Sequence, residues 1–340
     1  MTWLTWRQLR LQALTLGLLA AAIVVVAAVT GPNLADAVTG NSSPYDQLTS
    51  TDRTLFTAGI VVLAVLPALL GAFWGGPMVA RELEAGTHQL AWTQSVTRRR
   101  WLATKLGLTT AIAALVVGVT SLAITWWSSS IDGAVSSASG ALPERLTPVS
   151  FAMRGLTPLG YAVFAVALGA LVGAIVRRTT LAMAITLAVF IAIQIAVPIW
   201  VRPNLIPPTI ETIAFSQKTF AGITIRGDQL LIELHTPNRS DWVIANETID
   251  TDGDPATVPE WFRDCLPGVD GGNTAPTRVG NEDPLWDCLT QLTDAGYRQR
   301  LVYQSADRFW RLQWAETSTY LIVSALLALA SYWWIRHRLA

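Results

Sequence analysis

Six stretches of this chain run for at least 18 residues without an aspartate, glutamate, lysine or arginine, and no other stretch reaches that length. They are Leu11–Ala35, Thr54–Ala80, Leu106–Ile131, Gly155–Val176, Thr179–Val201 and Thr317–Ile335. The hydrocarbon core of a bilayer asks for roughly 20 apolar residues per helical crossing, and a charge at its centre is costly. The spacing therefore predicts six transmembrane helices. The windows are continuously apolar, which excludes the alternating pattern of a barrel. Only 14% of the residues are charged, against about 25% in soluble domains, so an ordinary water-soluble enzyme is excluded too. Basic and acidic residues balance at 24 each, and no nucleic-acid partner is expected.

Orientation follows from the basic residues of the short connections. With the amino terminus inside, Arg7, Arg10, Arg81, Arg98, Arg99, Arg100, Lys105, Arg177, Arg178, Arg336 and Arg338 fall on the cytoplasmic side, and only Arg53, Arg145 and Arg154 on the short outer loops. Both termini are then cytoplasmic. The Ala35-Asp36-Ala37 triplet has the look of a signal-peptide cleavage site, but the apolar run before it is too long for one.

The connections are unequal. Residues 1–201 hold helices one to five, with a cytoplasmic elbow over 79–105, and residues 314–340 hold helix six and the tail. Between them, 202–313 is long enough to fold as an extracytoplasmic domain. The hydrophobic alternation of Thr219–Leu234 around Gly227-Asp228 predicts a hairpin, and Leu285, Cys288, Leu289 and Leu292 share a helical face. The expected fold is an all-α polytopic membrane protein with an α+β domain inserted between helices five and six. Cys265 and Cys288 are the only cysteines, and a pair on an exported side reads as a disulfide that closes a loop of about 22 residues, worth roughly 3 kcal/mol. Asp250, Asp252 and Asp254 have calcium-loop spacing, but Pro255 stands where that loop needs glycine. No metal-ligand pattern is present in the sequence; His88, His235 and His337 are scattered.

No phosphate-binding loop, dinucleotide fingerprint, nucleophile elbow or HExxH occurs in the sequence. The windows also lack the ionisable residues of a proton relay. The chain is thus expected to be no enzyme, and an energy source is expected outside it.

The most informative segment joins helices two and three. Helix two can run on through Arg81, Glu82 and Glu84, stop at Gly86, and restart at Thr87 as a short transverse helix ending near Ser95; Thr97 can then cap helix three. The stretch from Arg81 to Leu102, RELEAGTHQLAWTQSVTRRRWL, resembles the E-x-G-T…R-x-x-(W/Y) region of ABC-2 type transporter permeases, in the form common among actinobacterial membrane subunits. The opening Trp3–Arg10 and the segment Tyr303–Glu316 are similar to that family as well.

The resemblance implies a permease in a bacterial cell membrane that pairs with a second permease subunit, the same or different, and with two copies of an ABC ATPase. The chain itself would bind no cofactor; ATP and magnesium would sit in the ATPase. The family's short helix lies in an ATPase cleft, which assigns the contact here to Glu82, Glu84, Gly86, Thr87, Gln89, Trp92, Gln94 and Arg98. The alternative is that these residues solvate a helix elbow, with Arg98–Arg100 also meeting anionic lipid headgroups. An interfacial helix that leads into span one is implied over Met1–Arg10, with an ordinary flank anchored by tryptophan as the alternative. Helices two and five would line the path, making Pro67, Phe73, Phe190, Gln194 and Trp200 its candidate residues. Gln194 is explained equally well by an interhelical hydrogen bond, and Gly71-x-x-x-Gly75 and Gly169-x-x-x-Gly173 by close helix packing. The function expected is ATP-driven export of a hydrophobic or amphipathic, drug-, lipid- or peptide-like, substrate. The alternative is a membrane-anchored receptor or assembly protein that binds ligand through its outer domain.

Overall fold

The structure, a computed structural model, describes residues 2–38, 48–86, 97–135, 145–226, 229–238, 240–265 and 284–338. The short transverse helix expected after Gly86 lies outside these residues, as do the hairpin turn at 227–228 and the side chain of Cys265. The chain divides into two compact units, Met1–Leu205 with Phe309–Ala340, and Ile206–Arg308.

The first unit is helical. Among the described residues six helical segments are long and apolar enough to cross a membrane: Leu9–Asp36, Ser50–Glu84, Arg98–Asp132, Thr157–Val176, Thr179–Leu205 and Ala306–Arg338. They contain the six charge-free windows, apart from the start of the fourth, and extend beyond most of their charged edges, because the internal backbone hydrogen bonds of a helix continue where its side chains turn polar.

Span one is α1, Thr2–Val38. It runs unbroken through Thr2–Arg10, so the helix implied over Met1–Arg10 leads straight into span one. The first potential breaker is Gly17, which has open space around it, so nothing forces a bend near Arg10. Span two begins at Thr49, whose hydroxyl accepts from Asp52 N at 3.2 Å while the Asp52 carboxylate accepts from Thr49 N at 3.0 Å, a reciprocal cap. Its α2, Ser50–Leu70, contains Pro67, then widens into a π-helical segment at Gly71–Gly75 and resumes as α3, Gly76–Glu84. Proline removes a donor from the ladder, and a π segment is one way a helix absorbs the mismatch. Span three is α4, Arg98–Val135. The loop expected after it folds back as a short helix, α5, Pro148–Ala152, whose Ser150, Phe151 and Ala152 are buried.

Span four, α6 Thr157–Val176, is the hub. Its apolar window is 72% buried, against 39% or less in the other five, and it packs against spans two, three, five and six. Small residues make this possible. A Cβ on Gly71 would lie 2.7 Å from Ala165 Cβ, one on Gly169 would lie 2.6 Å from Gly71 O and Gly76 N, and one on Gly173 would lie 2.5 Å from Gly76 O. The two Gly-x-x-x-Gly pairs therefore pack on each other, backbone to backbone. Span five is α7, Thr179–Ala196, followed by a second π segment, Val197–Val201, that includes Pro198, and a last turn, α8, Arg202–Leu205. Span six contains α10, Phe309–Arg338.

The second unit is α+β. Strands β1 (Thr209–Ile213), β5 (Arg298–Gln304) and β4 (Trp242–Ile249) form an antiparallel sheet in the order β1-β5-β4. Strands β2 (Phe220–Arg226) and β3 (Gln229–Leu234) form the expected hairpin, with Phe220 opposite Leu234. Helix α9, Pro284–Asp294, buries Leu285, Leu289 and Leu292 against Phe215, Ile232, Phe262 and Leu301. Buried Gln299 ties the two sheets together, accepting from Thr248 Oγ1 at 2.9 Å and donating to Ile232 O at 2.8 Å. Asp250 accepts from the Asp252 and Asp254 amides at 2.9 and 3.0 Å, capping its own loop. The unit is narrower than the 202–313 expected. Arg202 and Gln313 are completely buried in hydrogen bonds to other members of the helical unit, so both belong to it.

Candidate functional site

Two polar constellations stand at opposite ends of the helical unit. The first gathers the end of span two, the start of span three, the turn between spans four and five, and the end of span six. Span two stops where the sequence said it would: α3 ends at Glu84 and Gly86 adopts φ +68°, the left-handed conformation that closes helices. Span three restarts on Thr97, whose hydroxyl accepts from Arg100 N at 3.3 Å.

Both stalks of this elbow are fastened to neighbouring spans. Glu82 accepts from Trp101 Nε1 at 3.0 Å and forms an ion pair with Lys105, whose ammonium also lies 5.2 Å from the Trp101 ring centre. Glu84 accepts from both the amide and the hydroxyl of Thr179, at 2.9 and 2.6 Å, and so reaches the first residue of span five. Arg98 donates to Ile335 O at 3.4 Å and Arg336 O at 3.3 Å in the last turn of span six. Arg177, in a left-handed turn at φ 57°, donates to Arg338 O at 3.1 Å. The last carbonyls of a helix carry partial negative charge, which suits these guanidinium donors. Of the residues assigned to the elbow contact, Glu82, Glu84 and Gly86 thus stand at the end of span two and Arg98 on the first turn of span three, the side chains of Glu82, Glu84 and Arg98 each bound to a different neighbour. Thr87, Gln89, Trp92 and Gln94 lie outside the described residues.

The second constellation, at the far end, was not foreseen. Arg202 and Glu316 form a bidentate ion pair at 2.7 and 3.0 Å, both completely buried. Tyr161 donates to Glu316 at 2.6 Å, Arg202 also donates to Pro148 O at 2.7 Å, and its guanidinium lies 4.6 Å from the centre of the Phe151 ring. Gln313 accepts from the amides of Leu156 and Thr157 at 2.8 and 3.0 Å and donates to Phe151 O at 3.0 Å. Beside them Arg154 binds Ser128 at 2.8 Å and Asp132 at 2.6 Å. Half-buried Arg145 lies 3.8 Å from the Phe309 ring centre; burial pushes its guanidinium down from the usual arginine range and Asp132 pushes it back up. Two buried charges need such saturation, since the desolvation of each costs several kcal/mol. Spans two, three, five and six are thus joined by polar clasps at the first end, and spans three to six at the second.

Comparison with known families adds the deciding observation. The ABC-2 membrane transporter related family matches residues 9–202, more than half of the chain and five of its six spans. The chain belongs to that family. Comparison with curated proteins and with solved structures finds no match. As an ABC-2 related protein with six membrane-crossing helices, it is a permease of a membrane transporter.

The residues assigned to the translocation path of this ABC-2 permease do not converge on one cavity. Phe73 is 54% exposed and Trp200 70%, whereas Phe190 is 2% exposed, in a cluster with Phe164 and Tyr320. Pro67 is buried within span two. Gln194 accepts from Tyr320 OH at 3.0 Å, the interhelical bond that was the other explanation for it. A cavity of about 220 Å³ lies elsewhere, among spans one, two and three, lined by Ile23, Val26, Leu55, Gly59, Ile124 and Trp127 among others. Among the described residues no group of three or more histidines, cysteines or carboxylates is arranged to hold a metal ion.

Proposed function

We propose that this ABC-2 permease is the membrane-crossing half of an ATP-driven exporter for a hydrophobic or amphipathic substrate. In this reading two copies of a separate ATPase bind the elbow end, a second permease subunit completes the path, and the chain holds neither ATP nor magnesium itself. The elbow end faces the cytoplasm of a bacterial cell and both termini with it, as the arginine distribution favours. The unit Ile206–Arg308 then lies outside. Cys288 is not a free thiol; Cys265, the only other cysteine, is its partner in this reading, in keeping with an oxidising exterior.

The observation that carries the proposal is the pair of stalks on either side of residues 87–96. They end in helix stops at Gly86 and Thr97 and are tied by Glu82, Glu84 and Arg98 to spans three, five and six. A push on such an elbow is delivered to several spans at once, which is what a gate driven by an external motor requires. The path opens, in this account, when nucleotide closes the ATPases and the elbow moves with them.

The test is to purify the chain from membranes with the ATPase it brings along and measure hydrolysis in liposomes. The expected outcome is co-purification of a P-loop ATPase, no hydrolysis by the permease alone, and a fall of about tenfold in the permease-dependent rate for Gly86→Pro, whose ring cannot adopt the positive φ. Hydrolysis by the isolated chain, or full coupling in Gly86→Pro, would overturn the reading.

A further inference from the structure

Glu84 belongs to the exposed rim of the elbow, yet its carboxylate is turned inward, onto span five. One oxygen, Oε2, accepts from the Thr179 amide at 2.9 Å and from the Thr179 hydroxyl at 2.6 Å. The first amides of a helix have no partner within it, and residue Arg178, which stands at the N-cap of α7, provides no side-chain acceptor. The cap of span five is thus supplied from span two, 95 residues away along the chain. A carboxylate there also faces the positive end of the helix dipole and the neighbouring Arg178.

A second contact lies two turns further along the same helix. A Cβ on Gly76 would lie 3.5 Å from Ala182 C and Met183 N, so α3 rides on the backbone of span five from its first residue onward. Above this contact the helix of span two changes to the π segment Gly71–Gly75, a discontinuity of the kind that separates helix pieces. The segment Gly76–Glu84 is accordingly hydrogen-bonded to span five at its last residue and in van der Waals contact with it at its first, where it also packs on Gly169 and Gly173 of span four, and a π segment sets it apart from the α2 helix that precedes it.

We infer that Glu84 is a positioning residue for transport: it is the strut through which displacement of the elbow moves span five, and it acts through Thr179 and not by touching the ATPase. The inference rests on the exporter reading above and changes the role of one residue within it. What favours the strut is that the carboxylate is turned onto Thr179, with Oε2 shared between two donors of its own chain.

The experiment uses the full chain with its co-purified ATPase. Four variants are compared with the parent: Glu84→Ala, Glu84→Gln, Thr179→Val and the double variant Glu84→Ala with Thr179→Val. The readouts are ATPase co-purification, thermal unfolding of the complex, and the hydrolysis rate that depends on the permease. We expect Glu84→Ala, which removes both hydrogen bonds, to lower the permease-dependent rate about fivefold or more, the low end of coupling between sites, and Thr179→Val, which keeps the amide donor, to cause a smaller fall in the same direction. The double variant should be no worse than Glu84→Ala alone, since that change already removes both hydrogen bonds to Thr179. Glu84→Gln, whose amide oxygen can accept from the same two donors, should keep most of the rate. Co-purification and unfolding temperature should stay at the parental level, because the residues are solvent-accessible. Loss of rate in Glu84→Ala with none in Thr179→Val would overturn the strut while leaving the exporter intact. Additive losses in the double variant would also overturn it. Failure of the parent chain to bring down any ATPase would remove the exporter reading, and the strut with it.

Discussion

Arg202 and Glu316 stand 114 positions apart on either side of the inserted unit, and their charges meet with no access to water. Such a pair is costly to bury and more costly to break, because the survivor is left as an isolated charge. Glu316→Ala is expected to destabilise the helical unit by about 3 to 5 kcal/mol, measured by thermal or denaturant unfolding in detergent. Replacing both partners, Arg202→Met with Glu316→Leu, should recover most of that loss, since two apolar side chains of similar size leave nothing unpaired. A double variant as unstable as the single one would mean the pair contributes more than its own satisfaction. The residues were visible in the sequence, but only as edges: each bounds a charge-free window, where a charge reads as a flank. The missed signal is their sign. Arg154 and Arg202 fall at window ends assigned to the outside, where arginine is disfavoured, and a misplaced arginine asks for a partner. Nothing local says which one. The same limit applies to Glu84, whose partner Thr179 lies three helices away in the chain.

At the scale of the helix, apolar patterning was enough to place six spans, since hydrocarbon admits few alternatives to a satisfied helical backbone. The stops at Gly86 and Thr97 were legible because glycine at positive φ and a hydroxyl N-cap are local chemistry. The fold-back of Pro148–Ala152 was not, because its burial depends on Arg202 and Gln313 from distant spans donating to Pro148 O and Phe151 O. The two Gly-x-x-x-Gly pairs were legible as close-approach surfaces, but their mutual docking was not. That docking is testable. Gly169→Ala would place a Cβ 2.6 Å from two backbone atoms of span two, where overpacking typically costs 1 to 3 kcal/mol, so a loss of about that size in unfolding is expected. Gly107→Ala, with nothing within 4 Å, should be neutral or gain up to about 1 kcal/mol from helix propensity. Equal effects at the two sites would contradict the packing.

For the molecule as a whole, the helical unit is a bundle in which polar groups clasp spans two to six at their ends, around a central fourth span built of small residues. The inserted unit has its own core, and its hairpin and helix followed from alternation and periodicity alone; the joining of its sheets through Gln299 did not, since a buried glutamine looks in sequence like any surface one. The family match covers residues 9–202 and stops short of the inserted unit. The central claim is that the elbow is where a motor grips. The most direct measurement is photo-crosslinking in growing cells from a probe amino acid placed at His88, beside the described stalk that ends at Gly86, with Ile225 on the exposed side of β2 as the control position. The account predicts that the probe at position 88 captures a P-loop ATPase, identified by peptide mass spectrometry, and that the probe at position 225 does not. Capture of the ATPase from position 225 and not from position 88 would contradict it.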